Sequence, residues 1–303
     1  MTKSWGHPGL SARQQARLEQ LYPGADGIAD HSWPYGITVL EFTHAGRRLL
    51  LKASPDRHHL DRESQAHRHW LQPLASDVPL MLGYEAEAGL LVKTFIDGEL
   101  ARGTADEYNP LVFEQAGKLL GRLHRGRAPR VDGHYEHSIL SKTRAWLARA
   151  PGLAPPDQLH HVQAWLNAFV PSPVEVVPTH GDYHPRNWVI RPDGRVAVID
   201  FGRAELRPWY TDLVRMEHHD FVRTPELQEA FLRGYHPQEA AGRDETVDAG
   251  RRLDELMQAL GTIVWAHQMG DRSFEEQGRG MLGRAVDRGE DRPPGHISRG
   301  RRQ

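Results

Sequence analysis

The sequence predicts an α+β protein of two lobes, a small antiparallel β lobe followed by a larger, mainly helical one. Strand-length apolar runs bounded by turn residues crowd the part before Phe95. After it, apolar residues recur at three- and four-residue spacing, the mark of helices with one buried face. One short hairpin interrupts the helical part, and polar loops flank it between Thr179 and Gly202.

The elements follow in order. Ser11 to Tyr22 reads as a short amphipathic helix, capped by Ser11 and stopped by Pro23-Gly24. Ile37–Phe42 and Arg47–Lys52, joined by His44-Ala45-Gly46, form a β-hairpin. Leu60, Glu63, Ala66, His67, Trp70 and Leu71 share one side of a helix. Val78–Tyr84 and Leu90–Ile96 are two further strands, and Asp97-Gly98-Glu99 closes the β region.

Residues 1–95 are therefore expected to form one lobe and residues 96–287 the other. Val112, Ala116, Leu119, Leu120 and Leu123 mark one helix of the second lobe; Leu159, Val162, Trp165, Leu166 and Phe169 mark another. Pro192-Asp193-Gly194 turns the central hairpin, Asn187–Ile190 with Val196–Ile199. Thr224-Pro225 caps a helix through Leu227 and Phe231. A long helix runs from Leu253 to His267, and a last one from Phe274 to Val286. Residues 288–303 have little to bury and are expected to be a disordered tail.

Composition narrows the function. A chain of 303 residues with 39% hydrophobic content can build a substantial core. A net charge of −2 gives no electrostatic case for nucleic acid or an anionic membrane as partner. No apolar run reaches the ~20 residues of a membrane-spanning helix, and the N-terminus lacks the apolar stretch of a signal peptide. With no cysteine, disulfides and thiolate chemistry are excluded. A cytoplasmic protein fits all of this.

The chemistry concentrates in Thr179-His180-Gly181-Asp182-Tyr183-His184-Pro185-Arg186-Asn187 and, across the hairpin, Asp200-Phe201-Gly202. Phosphoryl transfer needs a group to take the acceptor's proton, oxygen ligands for magnesium and a cation on the remaining phosphates. Asp182 is the candidate base. Pairing the hairpin strands brings Asn187 and Asp200, the candidate metal ligands, to one end.

These two motifs resemble the signature of the aminoglycoside phosphotransferase and choline kinase-like family, within the protein-kinase-like fold. Protein kinases carry H-R-D and D-F-G at the same places, and glycine after His180 points to the small-molecule branch. The resemblance implies a bilobal kinase fold and transfer of a nucleotide γ-phosphate, from ATP or GTP with Mg2+, to a small-molecule hydroxyl. It makes Lys52 the lysine on the phosphates and Glu63 its partner. Val92–Gly98 becomes the inter-lobe hinge, with Lys93 and Phe95 at the nucleotide. His180, His124 and Asp212 become supports of the catalytic loop. One part departs from the pattern: Asp30–Gly36 should cover the phosphates but lacks G-x-G-x-x-G. Ser32 could serve there, while Pro34 removes an amide.

The acceptor is expected among the helices after Asp200, with Glu217, Asp220, Trp265, His267, Asp271, Glu275 and Glu276 as candidates. Acids there suit a cationic acceptor, although Asp271, Glu275 and Glu276 also fit a solvated helix start. An aminoglycoside-type antibiotic is the leading acceptor, with choline, homoserine or a sugar as the metabolic alternative. A nucleotide-binding pseudokinase module is the alternative of another class. The histidine pairs His58-His59, His160-His161 and His218-His219 do not share a helix face and make poor chelates.

Overall fold

The computed structural model describes residues 6–32, 36–235 and 245–290. In chain order the elements are α1 (Ala12–Leu21), β1 (Asp26–Asp30), β2 (Thr38–His44), β3 (Arg47–Ala53), α2 (His58–His69), β4 (Met81–Glu85), β5 (Leu90–Thr94), β6 (Glu99–Leu100) and α3 (Pro110–His124). They continue with β7 (Arg130–Asp132), α4 (Tyr135–Leu147), α5 (Pro156–Ala168), β8 (Val174–Thr179), β9 (Trp188–Ile190), β10 (Val196–Val198) and β11 (Glu205–Arg207). The last are α6 (Val214–His218), α7 (Asp220–Arg223), α8 (Pro225–Tyr235), α9 (Glu245–Met269) and α10 (Arg272–Glu290).

The chain divides into two compact units that alternate along it. The first comprises Met1–Ala128, Pro178–Leu206 and Glu226–His236; the second comprises Pro129–Val177, Arg207–Pro225 and Pro237–Gln303. The expected boundary after Phe95 thus falls inside the first unit. The reason is local: β6 pairs with β9, and Gln115 of α3 bonds the Gly194 carbonyl (3.2 Å) and the Val196 amide (3.1 Å) of the central hairpin. The expected tail begins inside α10, which continues to Glu290. Residues 291–303 lie outside the described residues.

In the first unit an antiparallel sheet runs in the order β1-β2-β3-β5-β4. Leu49 and Leu51 of β3 point to one face, into a core with Leu18 of α1, Leu40, Phe42, Leu90 and Val92. Lys52 points to the other. Ser11 caps α1 through a reciprocal capping box with Gln14.

The same unit docks α8 on α3 almost backbone to backbone. A Cβ on Gly234 would lie 1.9 Å from the Glu114 carbonyl oxygen, and one on Gly117 would lie 2.1 Å from that of Phe231. No side chain can yield there. Gly234→Ala is therefore expected to destabilise the protein by about 1–3 kcal/mol or more, read as a lower urea midpoint at unchanged slope.

In the second unit α4, α5, α9 and α10 enclose a core built on Leu140, Leu166, Leu256, Leu260, Ile263 and Leu282. A polar knot sits in it. Tyr135 Oη donates to Asp254 Oδ1 at 2.8 Å, and the Ser172 amide donates to Glu136 Oε2 at 2.7 Å. Asp254 Oδ2, Glu136 Oε1 and Tyr210 Oη have no hydrogen-bond partner among the described residues. Burial pushes the Asp254 carboxyl up to about 7, against the Tyr135 hydrogen bond.

A raised carboxyl means that the folded state holds its proton longer than the unfolded chain does. Stability then falls as pH rises from 3.8 to about 7. Asp254→Asn lacks this loss. Its stability relative to wild type should climb through that window in urea titrations at stepped pH, whereas a pH-independent difference would contradict the assignment.

Candidate active site

The site grows from β3. Strand alternation carries Lys52 away from the Leu51 face, and antiparallel pairing of Leu50 with Lys93 puts Lys93 on the same face as Lys52. There α2 presents Glu63, fully buried. Lys52 Nζ donates to Glu63 Oε2 and to Asp200 Oδ1, each at 2.7 Å, while Lys93 Nζ bonds Glu63 Oε1.

Desolvation would keep these groups neutral; pairing overcomes it at Glu63, Asp200 and Lys52, while burial lowers Lys93 in spite of Glu63. Burial alone would raise Glu63, yet Lys52 and Lys93 hold it down at about 2. Desolvation alone would raise Asp200, yet Lys52 keeps it below the usual carboxylate range; the charge of Asp182 is near enough to push the other way. Burial would lower Lys52, and Asp200 and Glu63 more than restore it.

The loop that carries Asp182 follows β8. Gly181, at φ 80°, takes a conformation that side chains resist. The Asp182 amide donates to His180 Nδ1 at 3.2 Å, so His180 carries its proton on Nε2 and donates to the Ile199 carbonyl at 2.9 Å. His180, fully buried, thus ties the start of the loop to the strand end before Asp200. The Asp182 carboxylate lies 3.3 Å from His184 Nε2 and 3.6 Å from Arg186 Nη2.

Asn187 ends a single 3-10 turn and donates from Nδ2 to the Asp182 carbonyl at 2.8 Å. Across the hairpin the Ile199 amide bonds the Asn187 carbonyl at 3.0 Å, which sets Asp200 beside Asn187. Asp200 holds a left-handed φ of 65°, uncommon away from glycine and a form of strain typical of functional sites.

The donor set suits magnesium. Asn187 Oδ1 and Asp200 Oδ2 have no hydrogen-bond partner among the described residues, and the Asp200 side chain is 50% exposed. One carboxylate and one amide oxygen match a hard cation that keeps waters and takes phosphate oxygens for its other positions.

A family model described as the phosphotransferase enzyme family matches residues 37–249, from β2 through the start of α9. The chain belongs to this family. Solved structures carry the same protein-kinase-like fold. Aminoglycoside phosphotransferase APH(4)-Ia superposes with a TM-score of 0.64 at 15% identity, over 91% of this chain and 98% of that one. Macrolide 2'-phosphotransferase MphH from Brachybacterium faecium gives 0.56 at 19%, over 88% and 95%. Choline kinase LicA from Streptococcus pneumoniae gives 0.61 at 14%, over 90% and 97%. A thermostable mutant of APH(4)-Ia has been crystallised with ADP and hygromycin B. No curated protein matches. Family membership makes this chain an enzyme that transfers phosphate to a hydroxyl group.

As a phosphotransferase, the chain gathers Lys52, Glu63, Lys93, Asp200, Asp182, Asn187 and His180 within its first unit. His124, also there, bonds the Tyr235 hydroxyl at 2.7 Å. The Ser32 amide donates to Asp30 at 2.8 Å, and its hydroxyl accepts from the Val39 amide at 2.9 Å. Pro34 lies outside the described residues. Phe95 lies under the Arg48 guanidinium at 4.0 Å.

The acceptor candidates all fall in the second unit, with Asp212, which is buried. Most are already partnered. Glu217 pairs with Arg251, Asp220 with His219 (3.0 Å), and Glu275 with Arg279 and His267 (3.3 Å). Asp271 caps α10 by accepting the Phe274 amide at 3.0 Å. Trp265 packs edge-on against Phe274, over which Arg215 of α6 also lies, so α6, α9 and α10 converge at this corner.

Sequence reasoning missed two contributors. Arg186 was legible only as part of a motif, although its i+4 spacing from Asp182 was a signal. Arg251 carried the same i+4 signal through Glu255, but its pairing with Glu217, 34 residues earlier, left no trace in the spacing.

Proposed function

We propose that this phosphotransferase moves the γ-phosphate of ATP or GTP, with Mg2+, to a hydroxyl of an aminoglycoside-type antibiotic in the cytoplasm. The observation that carries the kinase part is Lys52 held between Glu63 and Asp200 with the charge of Asp182 close by. ADP and hygromycin B bound to APH(4)-Ia, and the fold shared with it, support the nucleotide and the antibiotic.

In this reading Asp182 orients the acceptor hydroxyl and takes its proton as the oxygen attacks. His184 and Arg186 fix the carboxylate, and His180 fixes the loop that carries it. Lys52 holds the nonreacting phosphates, and Glu63 holds Lys52. Asn187 and Asp200 would hold the magnesium, which neutralises charge on the phosphate oxygens.

A nucleotide-coupled assay over aminoglycosides, macrolides and choline tests this. Turnover with an aminoglycoside is expected. Turnover with choline alone would replace the antibiotic by the metabolic acceptor that the likeness to choline kinase LicA suggests. Nucleotide binding without turnover of any acceptor would favour the nucleotide-binding pseudokinase module.

A further inference from the structure

We infer that Lys93 is a positioning residue for nucleotide binding: by holding Glu63, it frees the charge of Lys52 for the phosphates. This rests on the nucleotide-binding reading above. Lys93 Nζ is spent on Glu63 Oε1, and its side chain is 1% exposed, so it does not reach a bound nucleotide itself. It acts through its neighbour.

The charges near Lys52 decide the effect. Lys52 and Lys93 bring two positive charges, Glu63 and Asp200 two negative ones. His67, on α2, has a buried Nε2 with no hydrogen-bond partner among the described residues and is pushed by burial, and by Lys93 and Lys52, down to about 4; it is neutral. Burial lowers Lys93, but its ion pair with Glu63 holds the proton, and with Lys93 charged the four-group cluster sums to zero. Without Lys93 it carries one net negative charge where a polyanion must dock, and both Glu63 oxygens become free to hold Lys52. With Lys93 in place, one Glu63 oxygen is already satisfied. Lys52, held equally by Glu63 and Asp200, can then turn to phosphate without leaving Glu63 a bare carboxylate in the interior.

A diagonal neighbour on one sheet face lies about 7–8 Å away. A unit charge at that distance, at an effective dielectric of ~20, corresponds to roughly ten- to a hundredfold in affinity. The loss should grow with phosphate charge. In Lys93→Gln, which can still hydrogen-bond Glu63, adenosine should bind as to wild type. ADP should bind more weakly, and ATP more weakly still. If the wild type holds only guanine nucleotides, guanosine, GDP and GTP replace them.

Calorimetric titration of the Mg2+ complexes with Lys93→Gln and Lys93→Met, each checked for folding by circular dichroism, provides the test. Glu63→Gln added to Lys93→Gln restores the zero charge and should recover part of the ATP affinity. Equal loss for nucleoside and nucleotides, unchanged ATP affinity in Lys93→Gln, or no recovery in the double variant overturns the inference. Failure of the wild type to bind any nucleotide overturns the reading beneath it as well.

Discussion

Asp182→Asn is expected to cut turnover by a factor of about 10²–10⁴, with little change in nucleotide affinity or thermal midpoint. The side chain keeps its size and its place between His184 and Arg186, so the loop keeps its shape. What it loses is the ability to take a proton. His180 does not replace it: both ring nitrogens are engaged, Nδ1 by the Asp182 amide and Nε2 by the Ile199 carbonyl. Steady-state kinetics with the acceptor found by the screen, together with nucleotide titration, separate the two effects. Turnover that survives the change would remove Asp182 as base. Loss of nucleotide binding with it would make the residue structural.

Glu63→Ala is expected to be the most destabilising change at the site, by about 3–5 kcal/mol, because it removes the carboxylate that two buried lysines share. Lys93 is left with no carboxylate, and Lys52 keeps only Asp200. The loss should depend on pH. Glu63 is held at about 2 against 4.5 in the unfolded chain, so its contribution is complete above 4.5 and disappears as pH falls toward 2. The gap between wild type and variant in denaturant melts should narrow over that range. A gap that is constant with pH would mean that packing, not charge, is what Glu63 supplies.

The meeting of the candidate residues was legible because it is local. His180 to Asn187 and Asp200 to Gly202 are separated by one hairpin, and strand pairing alone predicts their meeting. Lys52 and Glu63 needed only a strand followed by a helix. The structure adds partners that spacing does not show. Lys93 was expected at the nucleotide but turns inward to Glu63, because β3–β5 pairing places it on the α2 face.

Other elements were not legible for chemical reasons. The buried face of α4 includes Glu136 and Thr143, which break its apolar period. Strand β1 lies at the edge of its sheet, and its one large apolar residue, Ile28, is 50% exposed, so nothing in its pattern marks a core. The acids chosen for the acceptor were picked by type, and the fold gives most of them cationic or helix-capping partners.

By itself, then, the sequence determined the fold class, phosphate transfer to a hydroxyl as the kind of reaction, and which candidate residues meet across one hairpin, because short-range pairing leaves few alternatives. The tertiary structure decided which charges neutralise which. Lys93 on Glu63, Arg251 on Glu217 and Asp254 among phenols are pairings between distant segments. Burial makes such pairings obligatory, since an interior charge without a partner is too costly to keep, yet sequence spacing carries no trace of them.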